Sequence, residues 1–398
     1  MYYLLLIKRF VEDIFIFLFI LIGRMAAFTR PLKKEYKVFF FFPFYHTGGA
    51  ELFNMRLSHA VGGSDCIIFF TKKSKDDRFY KEFTESGCTI KDISKFTDNK
   101  WLYFLNLIFR GIISGYINSQ KIKPIIFNGQ CNFGYKISPW ISKRIKQLEF
   151  IHTFCSFSYI RVPFLPFYQF TISSSIKTIN DHKAFYQKWK VPGLYLDKFK
   201  YILYGIELPD RNEKRIVNKP FTVLFVGRGS PEKRVEIAGK IAKAVKEKNP
   251  SIQFVFMGDI EPAMPKHLHQ YCIFLGNQTD KNKIHEVYCK SDVLLMTSAF
   301  EGFPLVVMEA MARGLAIIST AVGDVPKHVS SGLNGFIIEE IIKEEEIINQ
   351  GSNYLFQLSN DPVLLKKMSN SNIEYAYKKF GLDSFNANYK QLFKELES

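Results

Sequence analysis

Ten short apolar runs, each four to six residues long, recur between residues 36 and 338 with polar or glycine-containing breaks after them. In the first half they are 37–42, 66–71, 124–127, 148–152 and 170–174; in the second, 222–226, 253–257, 293–297, 316–319 and 335–338. An unbroken apolar run of that length reads as a strand covered on both faces, as in a parallel sheet flanked by helices. The intervening segments supply the helices. Residues 232–248, for example, place Val235, Ala238, Ile241, Ala242 and Val245 on one face, with Ser230 as N-cap and Pro231 as first helical residue. Two such sets predict two Rossmann-like, doubly wound α/β domains facing a cleft. A chain of 398 residues is long enough to build both cores. The break falls at 205–219, which holds Pro209, mixed charge and no apolar period.

Within the second set, residues 297–335 carry the chemistry. Glu301 and Glu309 stand eight apart around a Gly302-Phe303-Pro304 turn that opens a helix. Pro304 suits a first helical position. The free amides of Leu305 and Val306 then point out of the helix start beside the positive end of its dipole, a site for phosphate. Glu309 is one turn on from Leu305 and shares its face. A carboxylate there would repel phosphate and is better placed to accept hydrogen bonds from sugar hydroxyls. Phosphate on one side and hydroxyls on the other describe a nucleotide sugar.

The stretch SDVLLMTSAFEGFPLVVMEAMARGLAIISTAVGDVPKHVSSGLNGFII resembles the E-x7-E region of the retaining glycosyltransferases of family 4, the glycosyl transferases group 1 type. The resemblance spans residues 36 to about 395, strong in the second domain and diffuse in the first. It implies the GT-B fold and transfer of a sugar from a nucleoside diphosphate to a hydroxyl acceptor. It also implies that Glu301 positions the donor sugar and that a C-terminal helix crosses back onto the first domain. The resulting domain map is a membrane-associating segment 1–35, an acceptor domain 36–205, a nucleotide-sugar domain 206–382 and a returning helix 383–398.

Further positions fit this reading. In Val226-Gly227-Arg228-Gly229-Ser230-Pro231-Glu232-Lys233-Arg234, Gly227 permits a tight turn after a strand. Cations at a helix start oppose its dipole, so an anion should accompany Arg228 and Lys233. In the resembled family, an arginine and a lysine at this spacing neutralise the donor's diphosphate. The chain has no Asp-x-Asp pair to hold a divalent ion, so no metal or other cofactor is expected and these two cations carry the charge stabilisation. Gly48 and Gly49 follow the first strand as in the family's N-terminal glycine loop. His152 closes a strand where the family often has a histidine, and a neutral imidazole there would hydrogen-bond a sugar hydroxyl. Two positions depart from the pattern: Ile260 replaces a glycine after Gly258-Asp259, and Tyr204-Gly205 stands where Asn-Gly is usual.

The formal charge of +16 suits phosphate-bearing substrates or an anionic membrane. No zinc-finger spacing, RNA-binding strand motif or continuous basic helix argues for nucleic acid. Six scattered cysteines without a C-x-x-C pair read as reduced thiols. At the N-terminus, residues 14–22 are uniformly apolar, bracketed by Glu12, Asp13 and Arg24 and trailed by Arg30, Lys33, Lys34 and Lys37. The run falls short of the roughly 20 residues that span a bilayer. An interfacial or re-entrant helix at the cytoplasmic membrane face is therefore expected, with a single span as the first alternative and an apolar extension packed on its own domain as the second. The acceptor is expected to be lipid-linked or a surface-polysaccharide or lipopolysaccharide intermediate. The rival functions are a nucleotide-sugar 2-epimerase of the same fold and a non-catalytic nucleotide-binding membrane protein.

Overall fold

The computed structural model describes residues 1–46, 48–211 and 220–397. The chain forms two units, Met1–Tyr204 together with Asp383–Ser398, and Gly205–Leu382 between them. Residues 212–219 of the linker read from sequence lie outside the described residues.

The first unit holds β1 (Val38–Phe42), β2 (Cys66–Phe70), β3 (Thr89–Asp92), β4 (Ile125–Asn128), β5 (Lys146–Phe150), β6 (Phe170–Ser173) and β7 (Phe199–Tyr201). They form one sheet in the order β3-β2-β1-β4-β5-β6-β7, with every pairing parallel. The sequence Val-Phe-Phe-Phe-Phe of β1 shows why helices flank both faces. Successive side chains point to opposite sides of a strand. Phe40 and Phe42 therefore join one core with Phe53, Phe127 and Phe393, while Phe39 and Phe41 join another with Phe69, Ile113 and Phe133. All four rings of β1 are fully buried. The C-terminal helix Leu382–Glu397 supplies Phe385, Tyr389, Leu392 and Phe393 to the first of these cores, so this unit is built from both ends of the chain.

The second unit holds β8 (Thr222–Val226), β9 (Gln253–Met257), β10 (Ile273–Gly276), β11 (Val293–Met296), β12 (Ala316–Thr320) and β13 (Gly335–Ile338). The order is β10-β9-β8-β11-β12-β13, again parallel throughout. The order turns back between β8 and β11, and in open α/β sheets ligands bind beyond the carboxyl ends of strands at such a point.

Three strands escaped the sequence reading: β3, β7 and β10. Each is an outermost strand of its sheet and is partly exposed. An edge strand covered on fewer sides needs no continuous apolar run, so the signal used above is absent there.

The N-terminal segment is not a separate extension. Residues Tyr2–Thr29 form one 28-residue helix that lies on the helix Tyr103–Asn118 of the first unit. At the crossing, Gly23 and Gly111 meet backbone to backbone, and a Cβ on either would collide with the other helix. No described helix is long and apolar enough to cross a membrane.

Candidate functional site

The carboxyl ends of β8 and β11 bring together the two sequence elements singled out in the second unit. Lys233 Nζ donates to Glu301 Oε1 at 2.5 Å, with both side chains largely buried. Sixty-eight residues separate them in the chain.

The turn carrying Lys233 differs from its sequence reading. A 3-10 turn, Pro231–Lys233, comes first, and the α-helix runs only over Val235–Lys246. Between them Arg234 takes the left-handed conformation (φ 49°, ψ 51°), a strained choice for a residue with a Cβ. Its guanidinium accounts for the strain: Nε donates to the carbonyl of Thr297 at 2.6 Å and Nη2 to that of Ser298 at 2.9 Å. In return the Thr297 hydroxyl donates to the Lys233 or Arg234 carbonyl, each at 3.1 Å. Arg234 thus ties the lysine turn to the loop that carries Glu301. It went unassigned in the sequence, because nothing in its spacing distinguishes it from Arg228. Ser230 does not cap the turn with its side chain; its hydroxyl donates to Glu232 Oε1 at 2.6 Å.

Gly227 follows β8, and Gly258 after β9 sits against it with φ 128°. A Cβ on Gly258 would strike the Gly227 carbonyl, so glycine is required at 258. Arg228 is mostly exposed and lies 3.8 Å from Glu232. It stands free to turn toward a solvent-borne anion, since exposed pairs of this kind hold weakly.

On the acidic side, Glu301 and Gly302 precede the helix Leu305–Ala312, and Pro304 is its N-cap residue, not its first helical position. The first bond of the turn runs from the Val307 amide to the Pro304 carbonyl. The Leu305 and Val306 amides precede it, at the helix end where backbone donors have no intrahelical acceptor. Phe303 turns into the unit. Its ring is buried, stacked on His328 with ring centres 4.0 Å apart and against Phe380. It anchors the turn from below, and only its main chain remains for a ligand. Gly323 (φ 58°) lies directly under the carbonyls of Glu301 and Gly302, and the Asp324 amide donates to the Gly302 carbonyl at 2.8 Å. The acidic turn is therefore held from both sides.

Glu309 accepts a hydrogen bond from the buried Tyr288 hydroxyl at 3.0 Å. Burial and the adjacent carboxylate push the Tyr288 phenol well above its usual pKa, so it stays a donor. Tyr288 lies in helix Lys281–Cys289 and carries no signature in the sequence. Tyr288→Phe is expected to cost the second unit about 1.5 kcal/mol, the scale of a hydrogen bond to a charged group that keeps some solvent. Urea unfolding would measure it, and a loss below a few tenths would show that Tyr288 does not hold Glu309.

In the first unit, Gly48 is the N-cap of helix Gly49–Val61 in extended conformation. Neither Gly48 nor Gly49 has a left-handed φ. Gly49 faces open space, with nothing within 4 Å of where a Cβ would stand. Thr47 lies outside the described residues. His152 follows β5 by two residues and is not part of it. Its amide donates to Gln130 Oε1 at 3.0 Å and its Nδ1 shares a proton with the Tyr204 hydroxyl at 2.8 Å. Nε2 is buried, with no hydrogen-bond partner among the described residues. Burial lowers the imidazole pKa to about 3, so the ring is neutral at physiological pH. Tyr204, which stands where the resembled family has asparagine, is the residue that orients it.

Among the described residues, no group of three or more His, Cys, Asp or Glu could hold a metal ion. Among the described residues the six cysteines form no disulfide.

Residues 208–379 match the family model described as glycosyl transferases group 1. An uncharacterized 41.2 kDa protein in the cps region of Klebsiella pneumoniae is 25% identical over 214 residues, covering 51% of this chain and 56% of that protein. The lipopolysaccharide 1,2-N-acetylglucosaminetransferase of Salmonella typhimurium is 25% identical over 154 residues, 35% of this chain and 40% of that protein. The chain thus spans about half the length of these curated relatives. The Anabaena protein HepE, solved in complex with UDP, superposes with a TM-score of 0.70 at 16% identity, covering 90% of this chain and 100% of that one. The chain has the GT-B fold of such structures.

Proposed function

We propose that this chain, which carries a glycosyl transferases group 1 domain over residues 208–379, moves a sugar from a nucleoside diphosphate to a hydroxyl acceptor with retention of configuration. The observation that carries the reading is the Lys233–Glu301 pair beside the Leu305 and Val306 amides. In the free protein the ammonium neutralises the carboxylate. A donor's diphosphate offers Lys233 a second anion and the helix start supplies two amide donors. Arg228 closes over it, and Glu301 is left facing the sugar. Glu309, fixed by Tyr288, accepts from hydroxyls of the nucleotide. The UDP in the Anabaena HepE structure supports a uridine diphosphate donor.

In the transfer step the acceptor hydroxyl attacks the anomeric carbon on the side the diphosphate leaves. The departing phosphate oxygen takes the acceptor's proton. Glu301 stabilises the positive charge that grows on the sugar ring, and Lys233, Arg228 and the amides stabilise the negative charge on the leaving group. The neutral imidazole of His152 is a hydrogen-bond partner for a sugar hydroxyl. The relatives from a cps region and from lipopolysaccharide synthesis support a surface-glycan or lipid-linked acceptor, met at the cytoplasmic face of the membrane.

The test is a screen of nucleotide sugars by thermal shift in excess EDTA, followed by transfer assays under the same condition. A true donor at 100 times its Kd should stabilise the protein by about 2.7 kcal/mol. Fixed cations at the diphosphate make the expected transfer rate insensitive to EDTA. No shift with any nucleotide sugar would overturn the donor site, and activity silenced by EDTA and restored by manganese would overturn the metal-independent leaving-group chemistry.

A further inference from the structure

The helix Tyr2–Thr29 is amphipathic the wrong way round for a protein in water. Its charged residues turn inward. Arg9 donates to the Pro163 carbonyl at 2.8 Å, lies over the Phe167 ring and pairs with Asp13 at 3.5 Å. Glu12 pairs with Lys136 at 3.2 Å, and Arg24 donates to the Trp140 carbonyl at 2.8 Å. Outward, every exposed position from Tyr3 to Phe28 is apolar except Lys8. Leu4, Phe15, Leu18 and Phe28 are 65%, 78%, 62% and 88% exposed. A surface helix ordinarily buries its apolar stripe and shows water its charges. Here the helix is seated by polar and glycine contacts together with Tyr2, Leu5, Leu6 and Ile20, and a long apolar stripe is still left over on its outer face.

A second apolar segment adjoins it. Trp101, Leu102, Tyr103 and Phe104 are all exposed, Trp101 at 95%, at the start of the helix Tyr103–Asn118. Gly111 abuts Ile20 and Gly23, and Gly115 abuts Arg24 and Ala27, so the two helices run side by side in the same direction. Two turns back along each, Tyr103 and Phe104 come alongside the stretch at Glu12 and Asp13, whose charges Arg110 feels. The aromatic tip therefore stands beside the first helix, whose outer face carries the apolar stripe. Lys8, Arg30, Lys33 and Lys100 are exposed on or next to these segments, against the exposed carboxylates Glu35 and Asp98.

We propose that this composite surface docks on an anionic lipid bilayer, with the outer face of the helix Tyr2–Thr29 lying in the plane of the interface and Trp101–Phe104 inserted beside it. The occupant follows from the chemistry. A long apolar stripe meets hydrocarbon, tryptophan and tyrosine prefer the headgroup boundary, and the lysines and arginines complement anionic headgroups. This deepens the membrane-face reading given above and rests on it.

Removing the helix would strip Gly111 and its neighbours of their cover, so point changes on the outer face of the full chain are the cleaner test. The wild type should pellet with vesicles of equal phosphatidylglycerol and phosphatidylcholine, and at least tenfold less with phosphatidylcholine alone. Phe15→Glu with Leu18→Glu should lose vesicle binding at least tenfold while keeping its circular dichroism and its thermal shift with UDP. Lipids brominated in the acyl chains should quench wild-type fluorescence, and Trp101→Phe should lose most of that quenching. A wild type that ignores anionic vesicles, or a double-glutamate variant that binds them unchanged, would overturn the surface. So would a wild-type dimer dispersed by the same two substitutions without any vesicle binding, which would assign the face to a second copy. A failed UDP shift with intact vesicle binding would instead count against the donor site alone.

Discussion

Glu301→Gln is expected to lower turnover by about 100- to 1000-fold, the effect of removing one preorganised electrostatic group from a reacting centre. The structure adds a consequence for binding. In the wild type, Lys233 is held by Glu301 at 2.5 Å, so an incoming diphosphate competes with the carboxylate for the ammonium. Glutamine keeps the shape and removes that competitor. UDP affinity should therefore stay level or improve while kcat falls, a split that general damage to the fold would not produce. Calorimetric titration of UDP beside steady-state kinetics measures both. Wild-type turnover in the variant would end the assignment of Glu301 to the reacting centre, and a parallel loss of UDP affinity would show that its carboxylate serves to hold Lys233 in place for the diphosphate instead.

Arg161→Ala should be the most destabilising single change in the first unit. Arg161 and Glu149 are fully buried. The guanidinium donates from Nε to Glu149 Oε2 at 2.9 Å, from Nη2 to Glu149 Oε1 and to Thr171 at 2.9 Å, and from Nη1 to the Tyr186 hydroxyl. Burial by itself would depress the arginine pKa, but the Glu149 charge outweighs it and the net direction is upward. Truncating one partner of such a pair leaves the other charge buried and alone, at a cost of about 3–5 kcal/mol. That is a large share of the 5–15 kcal/mol that holds a typical domain together. Arg161→Met combined with Glu149→Leu should recover most of the loss, because the packed apolar pair has no charge to desolvate. Urea unfolding followed by near-ultraviolet circular dichroism would report both variants. A loss under 1 kcal/mol in Arg161→Ala would mean that water reaches the pair.

The candidate site divides into a legible part and a hidden part for a physical reason. Glu301, the Gly-Phe-Pro turn and the helix start of Leu305 and Val306 are local features, set by residues within a few positions of one another. Arg228 and Lys233 were readable because cations at a helix entry need an anion to justify them. Arg234 was not, since its role is to bond carbonyls more than sixty residues away. Tyr288 was invisible for the same reason: its partner Glu309 lies 21 residues on, in another helix. The surroundings of the Phe303 ring were hidden too, because an aromatic at a turn looks alike in sequence whether it faces solvent or, as here, His328 and Phe380.

By itself, the sequence determined the two parallel sheets, most of their strands and the position of the acidic turn before a helix start. Strand burial and helix starts follow from patterns a few residues long. Only the tertiary structure decided which long-range partners those patterns meet. It joined Lys233 to Glu301, hid Glu149 with Arg161, and added the edge strands β3, β7 and β10, whose partial exposure leaves no apolar run to read. It also decided which way the first helix faces. Residues 14–22 are apolar on every side, so periodicity could not tell the seated face from the free one; glycine contacts with Gly111 and the inward pull on Arg9, Glu12 and Arg24 settled it.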